Sequence, residues 1–136
     1  MPIVSWKDEY SVGISKIDDE HKQLIGMIDE AHDYVDSKPS SEAIKKLLAD
    51  MEDYAISHFD TEEAYMKVYD YPGTKGHKAE HAIFLEQVRA ADVNFADDSF
   101  VPGTVKILSF LADWLVKHIL GSDKKFGDFL LEKGAR

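Results

Sequence analysis

Ile44-Lys45-Lys46-Leu47-Leu48-Ala49-Asp50-Met51-Glu52-Asp53-Tyr54-Ala55-Ile56-Ser57-His58-Phe59-Asp60-Thr61-Glu62-Glu63-Ala64-Tyr65 decides how this chain folds. Taken at alternating steps of three and four, it reads Ile44, Leu48, Met51, Ala55, His58, Glu62, Tyr65, the spacing that lines up one face of an α-helix. Three other stretches keep the same period. They are Ile17, His21, Leu24, Ile28, Ala31, Val35; then His77, Phe84, Val88, Ala91, with His81 between the first two; and Leu108, Leu111, Leu115, His118. Ser37-Lys38-Pro39-Ser40-Ser41, Tyr71-Pro72-Gly73-Thr74 and Asp97-Asp98-Ser99 through Pro102-Gly103 punctuate the seams. Asp18, Ser41 and Thr74 stand where N-caps are expected.

Four helical stretches joined by short connections predict an all-α, antiparallel up-down-up-down four-helix bundle, since a lone amphipathic helix is not stable in water. The first residues, about 1–16, lack helical period and hold Trp6, Tyr10, Val12 and Ile14, so an extended N-terminal arm with a bend at Gly13 is expected. The bundle spans about 17–121. A short amphipathic C-terminal helix with Phe126, Phe129 and Leu130 follows at about 123–132, all within one domain of residues 1–136.

The composition is that of a globular protein, with acidic residues outnumbering basic ones by 26 to 16 and a formal charge of -10. That field repels phosphate backbones and anionic lipid heads, so neither nucleic acid nor membrane insertion is expected. No apolar run approaches the ~20 residues of a membrane span, and the N-terminus reads as no secretion signal. Cysteine is absent, which removes disulfides, thiolate nucleophiles, iron–sulfur clusters and Cys-type zinc sites. A cytoplasmic location fits.

The seams carry five histidines and a glutamate where apolar residues belong. One seam histidine is ordinarily a core residue with a hydrogen-bond partner. Their positions along the helices argue for more. His21 lies near the start of the first helix, His58 and Glu62 near the end of the second, His77 and His81 at the start of the third, and His118 at the end of the fourth. In an antiparallel bundle, all of these fall at one level. Burying so many polar groups uncompensated would cost several kcal/mol, and a bound metal compensates them. Asp123 follows His118 by five residues, which an unbroken helix would rotate about 140° off the seam. A helix stop at Gly121-Ser122 is expected to swing it back as a seventh ligand.

His21, His58-x-x-x-Glu62, His77-x-x-x-His81 and His118-x-x-x-x-Asp123 resemble the metal-binding pattern of hemerythrins, especially the single-domain bacteriohemerythrins. Trp6, Val12-Gly13-Ile14, Ile17 to Leu24 and His118-Ile119 to Asp123-Lys124-Lys125 extend the resemblance over nearly the whole chain. One departure is Phe126, where the family often has tyrosine, so no hydroxyl role is expected there. The resemblance implies two iron ions (Fe2+/Fe3+) joined by an oxo or hydroxo bridge, with Glu62 and Asp123 each bridging both. It places His77, His81 and His118 on one iron and His21 and His58 on the other. These donors fill all but one position of two octahedra, and dioxygen is the expected ligand of the last. The resemblance also implies an apolar oxygen pocket of Leu24, Phe59, Trp114, Leu115 and Ile119.

The expected function is therefore reversible dioxygen binding for storage, carriage or delivery, by a monomer in transient contact with an oxygen-consuming enzyme. It is expected not to be an enzyme itself. The alternatives are a diiron peroxidase or oxidase, which needs polar acid–base groups in the pocket, and a sensor of oxygen, nitric oxide or iron, which needs an output domain. His77-Lys78-Ala79-Glu80-His81 also fits the zinc-peptidase pattern H-x-x-E-H, but that leaves the remaining ligand candidates without a purpose. Ferritin-type Glu-x-x-His pairs do not occur. His32, about 16 Å along the helix from His21, is expected to be structural or on the surface.

Overall fold

The structure is a computed structural model that describes residues 4–36, 41–94 and 100–135. Helices α1 (Ser15–Asp36), α2 (Ser41–Tyr69), α3 (Thr74–Asn94) and α4 (Phe100–His118) form the bundle. Each packs on its chain neighbour and α4 closes back on α1, the up-down-up-down ring expected from short connections. A five-residue π-helical segment, Ile119–Asp123, leads into a short α5, Lys124–Glu132. No strand occurs among the described residues, and none of their helices is long and apolar enough to cross a membrane.

The seams face inward. Ile28, Ile44, Leu48, Met51, Ala55, Phe84, Val88, Leu108, Leu111 and Leu115 join one apolar core that fills the bundle away from the polar level. A second, smaller cluster of Val12, Ile14, Ile17, Met66, Tyr71, Phe126, Leu130 and Ala135 sits at the other side of that level, under the arm and α5. The seam positions Val35 and Ala91 and the cap candidate Ser41 have side chains outside the described residues, as do the linkers 37–40 and 95–99.

Several boundaries differ from the sequence expectation. Helix α1 starts at Ser15, so Asp18 lies within its first turn and is not its cap. Its carboxylate instead accepts the Val12 amide at 2.8 Å and the Ser11 hydroxyl at 2.5 Å, clamping the arm to α1. Thr74 opens α3, but its hydroxyl donates to the Tyr71 carbonyl at 2.6 Å rather than receiving an amide. Pro102 and Gly103 belong to the first turns of α4 and not to a loop; proline lacks only an amide that a helix start leaves unpaired anyway. The arm is not wholly extended, since Asp8–Tyr10 form a 3-10 turn.

Two ends are closed by left-handed residues. Asp70, at φ +57°, terminates α2 and lets the Tyr71 amide reach back to the Met66 carbonyl at 2.9 Å, the helix-ending pattern that lets the chain reverse within a few residues. Gly134, at φ +84°, does the same after α5, and Ala135 is buried beneath it. The arm and α5 approach so closely that a Cβ at Gly127 would lie 2.4 Å from the Val12 carbonyl oxygen and 2.8 Å from its Cβ. Gly127→Ala is therefore expected to destabilise the protein by about 1–3 kcal/mol through overpacking against backbone, measured as a lowered urea midpoint with unchanged helix content.

Candidate metal centre

The antiparallel turns bring His21 from α1, His58 and Glu62 from α2, His77 and His81 from α3, and His118 from the last residue of α4 to one level. Each of them is 3% exposed or less. Asp123 joins them at 1% exposure, and by a different device from the helix stop expected. The chain does not stop at Gly121-Ser122 but widens, and the Lys124 amide bonds to the Ile119 carbonyl five residues back. A turn that closes on the fifth residue sets Asp123 above His118 on the inward face, where an α-helix would carry it aside.

The carboxylate oxygens divide the imidazoles into two sets. Glu62 Oε1 lies 2.9 Å from His81 Nε2 and 3.2 Å from His77 Nε2, whereas its Oε2 lies 3.3 Å from His21 Nε2 and 3.4 Å from His58 Nε2. Asp123 repeats the division. Its Oδ1 is 2.8 Å from His77 and 3.2 Å from His118, and its Oδ2 is 3.0 Å from His21. Two donor groups result, one of His77, His81 and His118 and one of His21 and His58, with both carboxylates in each. Two donors ~2.1 Å from a common ion and at right angles around it stand ~3.0 Å apart, which is the scale of these contacts.

Hydrogen bonding alone does not account for the cluster. His21 Nε2, His118 Nε2, Glu62 Oε2 and both Asp123 oxygens are buried without a hydrogen-bond partner, although their neighbours lie near 3 Å. The atoms face one another off the donor axis, as ligands sharing an ion do. Nitrogen and oxygen donors without thiolate suit a borderline divalent or trivalent metal such as iron, so the residues fit the cation that the seam pattern implied.

Three acidic residues hold the outer imidazole nitrogens: Glu20 takes His58 Nδ1 at 2.8 Å, Glu63 takes His81 Nδ1 at 3.1 Å and Glu80 takes His118 Nδ1 at 2.9 Å. A proton held on Nδ1 leaves the Nε2 lone pair facing the centre. Sequence reading missed all three. Each is the chain neighbour of an inward residue, and a step of one residue turns a side chain ~100° toward the next helix. Glu20 thus precedes His21 but serves His58, and Glu80 precedes His81 but serves His118. Ser122 fixes Glu80 with its hydroxyl at 2.7 Å and 2.8 Å. This use of Glu80 also answers the zinc-peptidase pattern, and His32 belongs to neither donor group.

Of the five residues expected to form an apolar pocket, all belong to or pack against the main apolar core, and two of them touch ligand imidazoles. Leu24, Leu115 and Ile119 are fully buried, Phe59 stacks on His81 with centroids 3.9 Å apart, and Trp114 stacks on His118 at 4.6 Å. Phe84, which the sequence reading did not single out for the site, packs edge-on against Phe59 and beside Trp114. Phe126 lies 5.5 Å from the His77 ring, and Tyr71 packs against it at 4.8 Å.

A family model described as the hemerythrin HHE cation binding domain matches residues 12–130. The chain belongs to this hemerythrin family. Bacteriohemerythrin of Clostridium acetobutylicum is 30% identical over 132 residues, covering 90% of this chain and 98% of the relative. Myohemerythrin of Theromyzon tessulatum is 31% identical over 121 residues, covering 89% and 88%. The crystal structure of a wild-type hemerythrin superposes with a TM-score of 0.81 at 29% identity, covering 93% of this chain and 97% of that one.

The two carboxylates also favour protons on the imidazoles they face. Burial works against the charged imidazole of His21, but Asp123 and Glu62 outweigh it and raise it to about 10; His77 is raised against burial to about 9 by the same two groups. Burial would push Glu62 up, yet His58 and its neighbours hold it well below the usual carboxylate range. His21 and His77 thus carry protons at pH 7 that must leave before they can ligate. Metal affinity is expected to rise as pH climbs from 6 toward 9, measured by competition with a chelator. In metal-free protein these two histidines stabilise the fold fully below their ordinary 6.5 and lose that contribution as pH passes about 9 to 10; urea unfolding at pH 7 and pH 10 reads the loss. Glu80→Ala is expected to weaken metal affinity ~10–100-fold by freeing His118, measured in the same competition assay.

Proposed function

We propose that this chain binds dioxygen reversibly at a pair of iron ions held by His21, His58, Glu62, His77, His81, His118 and Asp123. The observation that carries the reading is the unequal division of the imidazoles, three on one side of the shared carboxylates and two on the other. Glu62 and Asp123 would offer one oxygen to each of two ions, so the His21 and His58 side would be the one left short of a donor and open to a gas ligand. Bound there, iron would supply the redox chemistry for reversible binding of dioxygen.

The chain's own residues make that exchange reversible. Glu62 and Asp123 would hold the two ions through paired oxygens, and Glu20, Glu63 and Glu80 keep three imidazoles turned inward. Leu24, Phe59, Trp114, Leu115 and Ile119 surround the centre with apolar surface, keeping water and protons from the bound gas. None of these five pocket residues carries an acid–base group, so a carrier fits them better than an enzyme that turns its substrate over. The setting we infer is a single domain over residues 1–136, acting as a cytoplasmic monomer that stores oxygen or hands it to an oxygen-consuming enzyme.

Anaerobic reduction followed by oxygen tests the reading. A visible absorption that appears with oxygen and disappears under argon, with all of the gas returned, is the expected result. Steady oxygen consumption would instead make the centre an oxidase. Leu115→Ser is expected to speed loss of the oxygenated form to the diferric state at least several-fold, followed by absorbance decay in air. Loss no faster than in the parent protein would remove Leu115 from the pocket.

A further inference from the structure

The centre is buried, its ligands 3% exposed or less, so electrons that restore a carrier from the diferric state have to cross protein to reach it. This inference rests on the iron reading above. Tunnelling falls steeply with distance, and face-to-face aromatic contacts shorten the effective gap. Two ligand imidazoles have such a contact among the described residues. His81 stacks on Phe59, which is 2% exposed and reaches Trp114 only through a second ring, Phe84. His118 stacks on Trp114 with planes 11° apart, and Trp114 is only partly buried.

Outside that stack lies a surface cavity of about 290 Å³ lined by Glu80, Phe110, Asp113, Trp114, Lys117 and His118. Phe110 is 44% exposed although it is a large apolar ring, and with Trp114 it gives the cavity two aromatic walls. The volume is near the lower end of cofactor-sized sites, ~300 Å³. Lys117 is paired with Asp113 at 2.9 Å, and the Glu80 carboxylate, which accepts from His118 and Ser122, faces no further cation in the lining, on a chain of net charge -10. Such a site admits a planar aromatic molecule that carries no phosphate.

We propose that this cavity is the electron port of the centre, seating a small aromatic electron donor of the reduced-flavin type, one that carries no phosphate, against Trp114, which relays electrons to His118. One reduced flavin gives up two electrons and two protons and becomes oxidised flavin. Two ferric ions take one electron each and become ferrous, and the protons pass to solvent. Trp114 and His118 undergo no net change.

The test uses the purified iron-loaded protein, without oxygen, and photoreduced riboflavin as donor. The rate of reduction is expected to saturate with riboflavin concentration. Trp114→Leu should lower the limiting rate at least tenfold, and Trp114→Phe, which keeps an aromatic face on His118, less than threefold. Phe110→Asp should raise the half-saturating riboflavin concentration at least fivefold with the limiting rate unchanged. Dithionite, with no ring to seat, should reduce Phe110→Asp and the parent equally fast. Equilibrium dialysis of oxidised riboflavin gives a readout without electron flow, with weaker binding expected in Phe110→Asp. Equal riboflavin binding in parent and Phe110→Asp, or a limiting rate in Trp114→Leu equal to the parent's, would overturn the port. Failure to return oxygen under argon would sink the carrier reading while leaving these results intact.

Discussion

Everything in this molecule answers to the enclosure of two carboxylates and five imidazoles at one level of a helical bundle. Several of their inward atoms have no hydrogen-bond partner in the structure, and buried groups of this kind are tolerated only when something strongly attractive binds them together. The four helices provide the enclosure because their alternating direction turns positions far apart in sequence into neighbours. The apolar cores on either side of the level keep water out, which strengthens every charge interaction within it.

The bundle was legible because its information is periodic. Seams at Ile17, Ile44, His77 and Leu108 repeat often enough to specify helices, and the alternation of helix starts and ends specifies the shared level. Six of the seven inward donors were legible for the same reason, since they sit on the seams. Asp123 was harder: its position off the α-helical period needed a local change in backbone. A stop at Gly121-Ser122 was the wrong device, because a π-helical turn preserves a continuous hydrogen-bonded path while rotating the next residues.

Glu20, Glu63 and Glu80 were invisible for a geometric reason. They lie one step off the inward face, where acidic residues are common on any soluble helix, and their work depends on which helix packs next door. Cap and turn positions failed likewise where tertiary contact competes with local preference. Asp18 is spent on Val12 and Ser11, and Pro102 fits inside a helix start that composition alone reads as a loop.

Asp123 has two allegiances. Its oxygens belong to the centre, while the residues directly after it, through Phe126 and Leu130, pack with Val12, Ile14 and Ile17 of the opposite chain end. Whatever charge occupies the centre therefore pulls on a joint that both termini share. Head and tail of the polypeptide are, in effect, hung from one nail, and their seating registers whether it has been driven home.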